Sequence, residues 1–247
     1  MSTPRRLLRF AIAAPMILAA GEATFLLPYV ASLRFFHPVR TAYMWQRPGS
    51  VTLAWRPLEK MAPALRESVV TAEDANFTVH HGLDFREMES SWKKNRRKKK
   101  YARGFSTITM QLARNLFLTP RKNLLRKALE IGIALEMELV LPKNRILELY
   151  LNLIEWGEGV YGAEAASQYY FKTSAASLSP EQAVFLASII PSPRKWGRWP
   201  PGPCIRRRMN VMMTAMRSVK KEPLEMPEET DGEDTDAPRE EESQDPP

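Results

Sequence analysis

Residues 124–154 read LLRKALEIGIALEMELVLPKNRILELYLNLI. Apolar residues recur three and four positions apart, first at Leu124, Leu125, Ala128, Leu129, Ile131, Leu135 and Leu139, then at Ile146, Leu147, Tyr150, Leu151 and Ile154. That is the period of a helix, and Pro142, which has no N–H to donate, divides the stretch into two. Further on, Ser179-Pro180-Glu181 supplies an N-cap and a first-turn proline for a third helix that stops at Pro191. A Pro-rich loop over 191–203 leads into a short, basic, Met-rich helix at about 204–221. No comparable run of alternating strand pattern occurs, so the fold class read from the chain is mainly α, with the body at 64–221.

Upstream, Phe10 to Leu33 is apolar except for Glu22 and follows Arg5, Arg6 and Arg9. Its 24 residues are long enough to cross a bilayer, and the arginines place the N-terminus in the cytoplasm and the rest on the far side. Residues 1–33 are therefore read as a cytoplasmic start and transmembrane anchor. The small residues of ILAAGEA (17–23) leave signal-peptide cleavage as the competing reading. Residues 34–63 read as a membrane-proximal connector rich in aromatics. Residues 222–247, with 12 acids, one base and five prolines, read as a disordered tail. Without that tail, residues 1–221 hold 35 bases against 16 acids, so the body calls for an anionic partner. One cysteine, Cys204, excludes a disulfide framework, and three histidines argue against a His-based zinc centre.

Three stretches have the composition of chemistry. In AEDANFTVHHGLD (72–84), two acids, two His and an aromatic crowd before Gly82, a natural left-handed terminator that predicts a helix end here. A carboxylate held at such an end beside apolar neighbours takes up protons more readily and serves as a general base, although acid pairs also sit on solvated helix faces. In GFSTITMQLARN (104–115), three hydroxyls follow a glycine, offering N-caps and donors for sugar or phosphate oxygens, with a helix expected from near Thr107. In RKALE (126–130), Arg126 and Glu130 lie one turn apart: a surface ion pair in the simplest reading, or part of a cationic cluster that neutralises a diphosphate leaving group.

Together with KNRILELYLN and EGVYGAEAASQYYFKTSAASLSPEQAVFLASIIPSP, these motifs resemble, in order and spacing, glycosyltransferase family 51, most closely its monofunctional biosynthetic peptidoglycan members. The resemblance covers roughly residues 60 to 215. It implies a lysozyme-like helical domain on the periplasmic face of the bacterial inner membrane, polymerising lipid II onto a growing lipid-linked glycan chain. It implies Glu73 as the base on the acceptor 4-hydroxyl and Glu130 as the second catalytic carboxylate. It further implies substrate contacts from Asp74, Phe77, His80, Gly82, Ser106, Thr107, Gln111 and Asn115, with Arg114, Lys122, Arg126 and Lys127 near the diphosphate. No cofactor is required, a divalent cation (Mg or Mn) at the diphosphate stays open, and the expected partners are the membrane and cell-wall synthases, not nucleic acid. Phe105 and Met110 stand where the family usually has Gly and Gln, and Arg114 where Lys is common.

Two other functions compete. A peptidoglycan-cleaving enzyme of lysozyme or lytic-transglycosylase type would use a protonated Glu73 and would not need the basic cluster. A membrane-tethered, non-enzymatic binder would use the run of seven bases in residues 93–100 and would be indifferent to Glu73. A bifunctional synthase is excluded by size: Ser90-Ser91-Trp92-Lys93 has the S-x-x-K spacing, but no Lys-Thr-Gly partner follows.

Overall fold

The structure, a computed structural model, describes residues 26–47, 49–98, 106–121 and 123–219. The two helices read from the opening stretch are present as Leu124–Val140 and Lys143–Leu153, broken at Pro142. In chain order the helices are α1 (Leu27–Ser32), α2 (Ala42–Trp45), α3 (Pro63–Glu73), α4 (Phe85–Lys98), α5 (Ile108–Phe117), α6 (Leu124–Val140) and α7 (Lys143–Leu153). They continue with α8 (Ala163–Phe171), α9 (Pro180–Ile189), α10 (Pro193–Trp196) and α11 (Pro203–Val219). α9 begins where expected, on a capping box in which Ser179 and Gln182 satisfy each other's backbone N–H. It packs against α3 and α11, while α5 lies against α6 and α7. The core between them holds Leu65, Val69, Ile108, Met110, Leu112, Tyr150 and Phe185, none with measurable exposure.

Three expectations need correction. A small sheet is present, with strand order β1 (Thr52–Leu53), β3 (Val160–Tyr161), β2 (Glu155–Gly157). Strands of two or three residues are too short to carry a period, which is why no alternation betrays them. The helix in the first motif ends at Glu73, with Asp74 as its C-cap, nine residues before Gly82. Gly82 does adopt a positive φ of 80°, but it does so where the following loop crosses α6: a Cβ there would lie 3.3 Å from the Ala134 carbonyl oxygen.

The third concerns residues 34–63, which are built into the domain. Buried Asn152 donates to the Arg56 carbonyl and accepts from the Arg56 N–H, both at 2.8 Å. Leu58 and Met61 are core residues, and Arg145 donates to the carbonyls of Leu33 and Phe36. The anchor reading at 10–33 falls mostly outside the described residues. Its final turn, α1, packs on α6 with Val30 and Leu33 buried. Among the described residues no helix is long and apolar enough to cross a membrane. The acidic tail and the end of the basic run also lie outside the described residues.

Candidate active site

α3 ends in a cleft of about 590 Å³ that Glu73 and Asp74 line together with Ser106, Thr107, Gln111, Arg114 and Arg208. Glu73 is half-buried at this helix end, its side chain 11% exposed. Its Oε2 accepts a 3.0 Å bond from the Gln111 side-chain amide, and Arg208 lies 3.7 Å from Oε1. Loss of hydration raises its proton affinity above that of an ordinary glutamate; the Gln111 bond, Arg208 and Arg114 oppose this only in part. A carboxylate made more basic than usual in this way suits proton abstraction.

Asp74 has a different occupation. Its Oδ2 accepts from the Ile108 N–H at 3.0 Å, at the start of α5, and its Oδ1 lies 2.8 Å from His80 Nε2. α5 is capped by Thr107, which accepts from Met110 N and donates to the Gly82 carbonyl at 2.7 Å. The two motifs are thus joined at the helix N-terminus, where a carboxylate is favoured by exposed N–H groups. This fixes the turn that aims Gln111 at Glu73.

Beneath the cleft lies the basic cluster. Glu130 is fully buried and meets Arg126 at 2.5 Å, Lys127 at 2.8 Å and Arg114 at 3.9 Å. The Arg126–Glu130 pair is therefore no solvated surface pair. Three cations on one carboxylate leave an excess of positive charge, and Lys127 reaches Ser106 Oγ at 2.9 Å, linking the cluster to the cleft. Burial also makes Lys127 a weaker base than usual. The Nε of Arg126 and that of Arg208 are buried with no hydrogen-bond partner among the described residues.

Asn115 lines a second chamber of about 260 Å³, which shares Gln111, Arg114 and Pro191 with the first and extends to Arg47, Glu155 and Arg194. Phe77, His80 and Gly82, expected to touch substrate, stand behind the wall instead. Phe77 has no exposure and lies under the Lys143 ammonium, 4.6 Å from the ring centroid, while Gly82 is buried against α6. Lys143 also donates to the His80 carbonyl at 2.6 Å and pairs with Glu138 at 2.7 Å. Lys122 lies outside the described residues. Arg208 was missed because α11 carries four arginines, and nothing in their order singles out the one that faces Glu73.

The sequence has counterparts among known proteins. The model of the Transglycosylase family matches residues 42–217. A Rhodopseudomonas palustris (strain HaA2) protein named biosynthetic peptidoglycan transglycosylase is 42% identical over 219 residues, covering 87% of this chain and 95% of the relative. Proteins of the same name from Nitrosomonas eutropha and Alcanivorax borkumensis are 39% and 40% identical, over 81% and 89% of this chain and 85% and 90% of their own lengths. The match runs through every motif that lines the cleft, and the chain belongs to the transglycosylase family.

Proposed function

We propose that the chain is a peptidoglycan glycosyltransferase that polymerises lipid II by inverting transfer, with Glu73 as the base. The observation that carries this is the Glu73 carboxylate, desolvated at a helix end and facing the cleft with Arg114 and Arg208 beside it and the Arg126–Lys127 cluster nearby, while its neighbour Asp74 is taken up by the Ile108 N–H and His80. Glu73 takes the proton of the acceptor 4-hydroxyl as its oxygen bonds to the donor's anomeric carbon. The bond from that carbon to the diphosphate oxygen breaks, and undecaprenyl diphosphate departs with the electron pair. A diphosphate leaves as a stable anion, so cations take the place of the carboxylic acid that a hydrolase uses. Glu130 is saturated by three bases; its role is to hold them in place.

Glu130 is not free to hold a metal ion. The carboxylate closest to the proposed diphosphate position is occupied by bases, and the described residues contain no group of three or more His, Cys, Asp or Glu able to hold an ion. Membrane attachment is part of the same proposal. α6 exposes Leu124, Leu125, Leu129, Leu135 and Leu139 along one side, and Phe35, Phe36 and Trp45 stand exposed after the apolar N-terminal stretch. These are surfaces suited to lipid, on which both substrates are anchored, and tethering raises their effective concentration.

The test is polymerisation of labelled lipid II in detergent, with muramidase digestion of the product. Wild type should yield long muramidase-sensitive glycan, and Glu73→Gln should lose roughly 10²- to 10⁴-fold in rate. Shortening of preformed strands without polymer would replace this reading with the cleaving enzyme.

A further inference from the structure

Tyr150 lies in the middle of α7, wholly buried, with its hydroxyl 2.9 Å from Gln111 Oε1. Gln111 in turn donates through Nε2 to Glu73 at 3.0 Å and to the Ser106 carbonyl at 3.3 Å. Accepting the reading of Glu73 as the base, we propose that Tyr150 is a positioning residue for it: the phenol locks the Gln111 amide with its N–H end on the carboxylate.

The two ends of a side-chain amide are nearly the same size and opposite in hydrogen-bonding sense. Something must choose between them, and a phenol O–H chooses the carbonyl. Burial holds Tyr150 well above the usual phenol range, so it keeps its proton and remains a donor at any working pH. Donation into Oε1 also polarises the amide and strengthens the N–H that faces Glu73. The other charged neighbours of Glu73 are Asp74 at its own helix end, Arg114 from α5 and Arg208 from α11, with Asp84 and Glu87 across the cleft. Arg208 stays at 3.7 Å and is about a third exposed, so the Gln111 bond is the short contact supporting the ionised form. Releasing Gln111 therefore makes Glu73 easier to protonate.

The experiment is the pH–rate profile of lipid II polymerisation for wild type, Tyr150→Phe, Gln111→Met and the double variant, with thermal melting of each. Tyr150→Phe should move the acid limb to higher pH, with a rate deficit of roughly 3- to 10-fold on the limb that narrows as pH rises. The double variant should shift no further than Gln111→Met, because the phenol acts through the amide. A deficit equal at all pH values, or effects that multiply in the double variant, would reduce Tyr150 to packing and overturn the proposal. If Tyr150→Phe fails to fold, an unmoved limb in Gln111→Met overturns it as well. Glu73→Gln separates the two readings: if it polymerises like wild type, the base assignment fails. If it is inactive while the limb stays in place, only the positioning role falls.

Discussion

Burial of Glu73 with one amide and one distant arginine as compensation makes its ionised form less favourable in the native protein than in the unfolded chain. The sign of the resulting linkage is definite. A carboxyl whose native proton affinity is raised contributes fully below its unfolded pKa of about 4.3, and that contribution is lost as pH rises through the native value. Glu73→Gln removes the titration while keeping the shape. Its melting temperature should exceed that of wild type near pH 7.5, and the gain should vanish as pH falls toward 4; calorimetry across pH checks both. A variant less stable than wild type at neutral pH would mean that the Arg208 contact outweighs burial. At this scale the sequence was legible for residues whose motif fixes both identity and place, such as Glu73, Gln111 and Glu130. It was not legible for Arg208, whose approach depends on how α11 lies across α3.

α6 and α7 could be read in advance because apolar residues repeat at helical spacing over 17 and 11 residues; on α7 that face is buried, whereas on α6 the leucines that set the period are exposed and Ile133, Ala134 and Met137 face the core. The segment between α3 and α4 has no period, and its path is set by single contacts: Asp74 on the α5 N-terminus, Thr107 on the Gly82 carbonyl, Lys143 on the His80 carbonyl. Gly82 is where that path is tightest. Gly82→Ala would force a side chain into the left-handed region and against α6, which costs about 1–2 kcal/mol for the conformation alone. The expected outcome is a lower melting temperature together with slower polymerisation, since the same loop holds Asp74 and hence the start of α5. Normal stability and normal rate in that variant would show that the loop has more freedom than its contacts imply.

For the whole molecule, the charge imbalance has a consequence that individual pairs do not. Residues 1–221 carry an excess of 19 positive charges, and the last turns of α4 carry the run from Lys93 to Lys98, with Lys93 and Arg96 exposed. If the membrane is the working surface, cosedimentation of the full chain with anionic vesicles should exceed that with neutral ones. The excess should fall as salt shortens the screening length from about 10 Å at 0.1 M to about 3 Å at 1 M. Replacing Lys93 and Arg96 by Glu should weaken the anionic preference and leave the neutral-vesicle signal, which comes from apolar contact, in place. Equal binding to both vesicle types at low salt would show that the basic excess serves the substrate alone.

The half-buried Lys143–Glu138 pair joins α6 and α7, and its ammonium covers Phe77 and the His80 carbonyl without lining either chamber. Phe77, Lys143 and Glu138 thus brace the cleft from behind, whereas Asp74, Thr107, Gln111 and Tyr150 both line the chambers and hold Glu73 in its setting. Under the proposed transfer, a change at Lys143 or Glu138 would reach the reaction only through the loop that it braces, whereas a change at Gln111 would alter grip and aim together.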